Sequence, residues 1–250
     1  PLILGHEAAG VIVGGTMDGR RVTVNPLVTC GTCPACTSGR ENLCPTRQII
    51  SMQPREGAFA QYITMPERNL VTVPADVPLA RAALAEPLAV SWHAARLALS
   101  SLHPVMERRA LVIGGGAIGL AAALALRAMG VAQITIAEPN AARREFLTAL
   151  GEQAVAAAEG SYPVVIDAVG YAATRATATA VVEAGGVIAH VGLGEDTGGL
   201  DVRRMTLQEI TFIGTYTYTA QDFRDTAAAI FDGRLGALDW TEQRPLSDGA

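Results

Sequence analysis

R-A-L-V-I-G-G-G-A-I-G-L-A-A-A-L-A-L-R-A-M-G, residues 109–130, runs from a short apolar segment through a glycine turn into an alanine- and leucine-rich stretch that ends near Gly130. That order predicts strand, loop and helix. Gly114, Gly116 and Gly119 fit G-x-G-x-x-G. The first glycine allows a tight turn, the second lets a pyrophosphate approach the backbone, and the third lets helix and strand pack closely. Ala117 and Ile118 then open a helix whose unpaired N–H groups and positive dipole end face the phosphates. Three glycines in a packing turn are the plain alternative, and the motif alone does not decide. The next apolar run, Ile134 to Ala137, ends in Glu138, 19 residues beyond Gly119. An acid there accepts hydrogen bonds from the adenosine ribose and repels a 2′-phosphate, which favours NAD over NADP; Arg143 and Arg144 just downstream oppose that preference.

Further apolar runs follow at Val164 to Ile166, leading into Asp167, Ala168, Val169 and Gly170, then at 186–193 and 210–214, with a helical stretch from Tyr171 to Glu183 between the first two. The alternation predicts an α/β fold with a parallel, doubly wound sheet that binds a nucleotide. Residues 1–85 read differently. Short β-like pieces at 8–13, 21–26, 59–65 and 69–73 are broken by Gly and Pro, predicting a separate antiparallel or barrel-like β domain. No internal repeat or low-complexity tract is evident.

All four cysteines, Cys30, Cys33, Cys36 and Cys44, lie within fifteen positions as C-x2-C-x2-C-x7-C. Such a loop suits a closed tetrathiolate zinc site, which is structural because no coordination position is left for a substrate. Two disulfides or an iron–sulfur cluster are the alternatives; the former are rare in a reducing cytosol. Gly5-His6-Glu7 and Glu86-Pro87 have plain readings as a polar pair at a strand start and a first helical turn. His6, Glu7 and Glu86 are also suitable ligands for a second, open zinc.

The 250 residues are 50% apolar, with 19 Lys and Arg against 24 Asp and Glu. No basic run marks a nucleic-acid or membrane surface, so a small molecule is the expected partner. The longest uncharged apolar stretch, Ala110 to Leu126, has 17 residues, short of the roughly 20 a membrane helix needs. With no export signal at its opening, the chain is expected in the cytoplasm.

Together, G-H-E, the C-G-x-C-x-x-C-x-x-G-x-x-N-x-C lobe, G-A-F-A-Q-Y, A-E-P-L and G-G-G-A-I-G before an acid resemble the zinc-dependent medium-chain dehydrogenase/reductase family, from Pro1 to about Leu246. Glu86-Pro87 makes the chain similar to the branch of sorbitol, galactitol-phosphate and threonine dehydrogenases. The resemblance implies an NAD-dependent zinc oxidoreductase passing a hydride between an alcohol or polyol and the cofactor; the alternative is a dinucleotide-binding relative that keeps only structural zinc. It implies a GroES-like catalytic domain over 1–90 with the zinc lobe at 29–45, a Rossmann domain over 91–217, and a return to the catalytic domain over 218–250. His6 would ligate a catalytic zinc, with Glu7 and Glu86 as direct or exchangeable ligands or as holders of its water. Cys30, Cys33, Cys36 and Cys44 match the structural zinc site. Gly114, Gly116, Ala117, Ile118, Gly119, Glu138 and Arg143 match cofactor positions, with Ala168, Val169, Gly170, Val191, Gly192 and Leu193 lining the ribose and nicotinamide. Arg244 resembles a polyol-contacting arginine; Thr217 stands where several members carry an arginine. A homodimer or homotetramer is implied. Family members take a further zinc-ligating Cys from upstream of G-H-E and continue past Ser247, Asp248, Gly249 and Ala250, so the chain reads as an internal fragment expected to bind NAD but turn over poorly. His93, His103 and His190 are expected as helix-face or core residues.

Overall fold

The computed structural model describes residues 2–248; Pro1, Gly249 and Ala250 lie outside it. The chain divides into two compact units, 1–89 with 218–250 and 90–217.

The first unit opens with β1 (Ala8–Val11), β2 (Arg21–Val24) and β3 (Leu27–Val28). It continues through a short helix α1 (Pro34–Thr37), β4 (Gln48–Ile49) and β5 (Leu70–Thr72) to a second short helix α2 (Leu79–Ala82). β2 lies between β1 and β5, antiparallel to both, and β3 pairs antiparallel with β4. Val22, Thr23 and Val24 are all buried, which matches the position of β2 as the central strand. The expected strand at 59–65 is absent. The N–H groups of Gly57, Ala58 and Phe59 bond the carbonyls of residues 3–5 at 2.7–2.9 Å, but residues 60–65 join no ladder among the described residues. Side chains of strand-forming type give a strand only where a neighbouring backbone is in register.

α3 (Ala85–Ser101) leads from the first unit into the second. There follow β6 (Arg109–Ile113), α4 (Ala117–Ala128), β7 (Gln133–Ala137), α5 (Ala141–Ala149), β8 (Gln153–Val155), β9 (Tyr162–Asp167), α6 (Ala172–Val181), β10 (Val182–His190), α7 (Val202–Leu207) and β11 (Thr211–Gly214). The six strands are parallel and ordered β11-β10-β9-β6-β7-β8. Numbered along the chain from β6, that is 6-5-4-1-2-3, the doubly wound dinucleotide order, whose direction reverses between β6 and β9. Leu111, Val112, Val164, Val165, Ile166, Val187 and Ile188 are fully buried in the three central strands. A sheet covered on both faces requires continuous rather than alternating apolar runs. The helix expected over Tyr171 to Glu183 is shorter at both ends. Tyr171 is its N-cap, with its N–H donated to Thr174 Oγ1 at 2.9 Å, and Val182 turns to extended backbone to enter β10. The chain then returns to the first unit through α8 (Ala220–Phe231).

Candidate metal and dinucleotide sites

The four cysteine sulfurs lie within 4.8 Å of one another. Cys30 to Cys36 is 3.8 Å, Cys33 to Cys36 3.5 Å and Cys44 to Cys30 3.6 Å. A tetrahedron with metal–sulfur bonds of about 2.3 Å has edges of roughly 3.8 Å. Disulfide-bonded sulfurs would stand at about 2.05 Å, so the donor set fits a metal and not a pair of bridges. The N–H groups of Thr32 and Cys33 point at Cys30 Sγ and lower its pKa to about 5, as thiolate ligation requires. Cys33 goes the other way. The Cys36 N–H lowers it, but desolvation and hydrogen bonds among the neighbouring thiols raise it to about 11. Four sulfurs this close share protons when no cation holds them.

The lobe is tied to α8. Glu41, between Cys36 and Cys44, accepts the Ala220 N–H at 3.0 Å, at the helix start where a carboxylate is stabilised.

One donor atom each from His6, Glu7 and Glu86 also falls within 4.8 Å of the others. His6 follows Gly5, whose φ of 92° places it in the left-handed region. Any Cβ there would meet the Phe59 ring at 2.8 Å. The pairing of residues 3–5 with 57–59 thus fixes where the imidazole starts. Glu86 comes from the first turn of α3, buried, with its Oε1 accepting the Tyr218 hydroxyl at 2.8 Å. Burial raises its pKa; the Tyr218 hydrogen bond and His6 draw it down, and Glu7 pushes it up. One imidazole and two carboxylates are a donor set that could hold a zinc ion and leave a position open.

In the second unit the glycine turn follows β6. A Cβ on Gly119 would stand 1.8 Å from the Gly114 carbonyl, and one on Gly114 would stand 2.4 Å from Val169 Cγ2. A Cβ on Gly116 meets nothing within 4 Å, so its backbone is open to a ligand. Glu138 is buried at the end of β7, and its carboxylate accepts the Gly115 N–H at 2.9 Å and the Asn140 N–H at 2.8 Å. Burial alone would raise its pKa, but these two donors and Arg143, 3.7 Å away, hold it below the ordinary value. The turn, Glu138 and the segments 168–170 and 191–193 all lie just after the C-terminal ends of parallel strands, and Gly114 meets Val169 at the reversal of strand order. That is the crevice in which doubly wound sheets hold dinucleotides.

Other candidates stand elsewhere. Arg244 is exposed and pairs with Glu242 at 3.0 Å. Thr217 has a φ of 46° and a buried Oγ1 with no hydrogen-bond partner. His103 is exposed, and its Nδ1 accepts the Val105 N–H at 3.4 Å. His93 is buried on α3. His190, expected as a helix-face or core residue, stands at the end of β10 with Nδ1 3.2 Å from Asp167 Oδ2. The two are direct register partners on β10 and β9; counting register along the parallel runs would have found them. Tyr218 and Arg175 carry no short-range signal of their contacts.

Residues 1–75 match the family described as alcohol dehydrogenase GroES-like domain, and 117–232 the family described as zinc-binding dehydrogenase. The chain is 33% identical to the L-galactonate-5-dehydrogenase of Escherichia coli (strain K12), over 95% of this chain and 74% of that protein. It is 35% identical to the sorbitol dehydrogenase of Bacillus subtilis (strain 168), over 87% and 67%. The crystal structure of L-idonate 5-dehydrogenase from Escherichia coli superposes with a TM-score of 0.85 at 25% identity, covering 94% of this chain and 72% of that one.

Proposed function

This chain belongs to the zinc-binding alcohol dehydrogenase family, and from that premise we propose that it is a zinc- and NAD-dependent oxidoreductase acting between a polyol or other secondary alcohol and the corresponding ketone. The convergence of His6, Glu7 and Glu86, apart from the tetrathiolate lobe, is the observation that carries the reading. It separates a metal open to substrate from one that only braces a loop.

When bound, zinc supplies a Lewis acid for the substrate oxygen and the nicotinamide a hydride acceptor. His6, Glu7 and Glu86 would hold the catalytic metal, and Cys30, Cys33, Cys36 and Cys44 the structural one. Tyr218 fixes the Glu86 carboxylate through its hydroxyl. The open backbone at Gly116 and the start of α4 receive the pyrophosphate, and Glu138 receives the adenosine ribose. Its carboxylate supports NAD over NADP. We further read the protein as a cytoplasmic homodimer or homotetramer. Four unbridged cysteines support the location, and the open outer edge of β11 supports the assembly.

The test is to count zinc and follow NADH formation with a panel of hexitols and pentitols. The wild-type chain is expected to hold two zinc ions and oxidise a polyol slowly. His6→Ala should hold one ion, keep NADH binding and lose turnover. One zinc in the wild type, with no alcohol oxidised, would instead support a dinucleotide-binding relative without catalysis.

A further inference from the structure

Arg175 on α6 is 5% exposed, and its guanidinium donates to four main-chain carbonyls. Nε donates to Gly198 at 2.6 Å, Nη1 to Gly170 at 2.9 Å and to Glu195 at 3.0 Å, and Nη2 to Thr197 at 2.5 Å. Four of the five donors of a rigid planar fork are therefore used. Gly170 belongs to the loop after β9, and Glu195 to Gly198 belong to the loop after β10.

The same two loops are pressed together backbone to backbone. A Cβ on Gly170 would lie 2.2 Å from the carbonyl carbon of Gly192, and one on Gly192 would lie 2.1 Å from that of Val169. The Gly194 and Glu195 N–H groups donate to the carbonyls of Val169 and Gly170 at 3.1 and 2.8 Å. Glu195 Oε2 accepts the Ala172 N–H at 2.7 Å, anchoring the second loop on the start of α6. Beneath them the fully buried Asp167 accepts from the N–H groups of Val169 and Gly170 and from Thr174. The first loop in turn meets Gly114 of the glycine turn through Val169. Leu193, between the two glycines, is left 92% exposed.

In a sheet of this order each half takes one mononucleotide. Glu138 marks β6 to β8 as the adenosine half, so β9 to β11 face the nicotinamide half. We propose that Arg175 is a positioning residue for the nicotinamide end of the dinucleotide, clamping the loops after β9 and β10 into one rigid wall of the crevice. The inference rests on the dinucleotide reading above. Residues 191–200 contain no regular element; without the clamp such a loop is free to move. A lysine ammonium is a single point and does not gather four carbonyls that a planar fork can.

The zinc-loaded full chain is titrated calorimetrically with NADH and, separately, with adenosine monophosphate, which occupies only the adenosine half. For Arg175→Lys the Kd for NADH is expected to rise about tenfold or more, as misplacement of a binding wall predicts. The Kd for adenosine monophosphate should stay within about twofold, since that ligand does not reach the clamp. Glu195→Ala removes an exposed side chain and leaves the core intact. It should give the same selective pattern at smaller size, and it carries the test if Arg175→Lys does not fold. Unchanged NADH affinity in both variants, or equal loss of both ligands in Glu195→Ala, overturns the inference. A wild-type chain that binds neither ligand instead overturns the dinucleotide reading itself.

Discussion

Glu138 shows how one side chain braces the turn on which the proposed cofactor site depends. Its two oxygens accept backbone N–H groups from the glycine turn and from the start of α5, so it holds the turn in shape before any ligand arrives. Each oxygen keeps a lone pair for a further donor. Glu138→Gln is expected to cost about 1–3 kcal/mol at neutral pH, the worth of hydrogen bonds to a charged group. The pH dependence has a definite sign. The folded carboxyl titrates below its ordinary value, so its stabilisation is fully present above the unfolded pKa of about 4.3. It is lost as pH falls through the folded pKa. Urea unfolding of wild type and Glu138→Gln should therefore differ most above the unfolded pKa and converge only as pH falls through the lower, folded pKa. The position of Glu138 was legible from an acid ending the second apolar run, but its bonds to Gly115 and Asn140 were not, because they depend on how the turn folds back on the strand.

At the scale of elements, long apolar runs carried most of the fold. Strands β6, β7 and β9 follow directly from Ala110 to Ile113, Ile134 to Ala137 and Val164 to Ile166, since strands buried on both faces need such runs. β8, with three residues and an exposed Gln153, offers no run to read. The β-like stretch at 59–65 offers one and forms no strand, because pairing is a property of two backbones. The cysteine grouping was legible because its four thiols are close in sequence. The approach of Tyr218 to Glu86 was not, with 132 positions between them. α8 makes that approach possible. Its capping box joins Thr219 Oγ1 to the Asp222 N–H and Asp222 Oδ2 to the Thr219 N–H, both at 3.1 Å. Thr219→Ala should lower stability by about 1–2 kcal/mol. It should also weaken zinc retention at the His6 site, measured by metal analysis after dialysis, because the cap adjoins Tyr218.

For the whole molecule, the two units differ in what holds them together. Unit 2 has a six-stranded sheet with a continuous core built on Leu111, Val165 and Ile188. The lobe at residues 29–45 has short helical turns and four thiols in place of a core. A metal bound there would contribute folding free energy to the lobe, whereas the central sheet has its own core. Chelation should therefore abolish hydrogen-exchange protection at residues 29–45, while β6 and β9 stay protected; mass spectrometry of peptides from both regions would read this. Equal loss in all three would show that the metal supports the entire fold.

The first unit is assembled from both ends of the chain, with all of the second lying between them. During synthesis residues 90–217 emerge as one uninterrupted piece, and such units generally fold as they appear, whereas the first unit is complete only once α8 has followed. Tyr218 leaves the ribosome 132 residues after Glu86. The buried acid therefore receives its phenolic partner only after the whole of the second unit has been made.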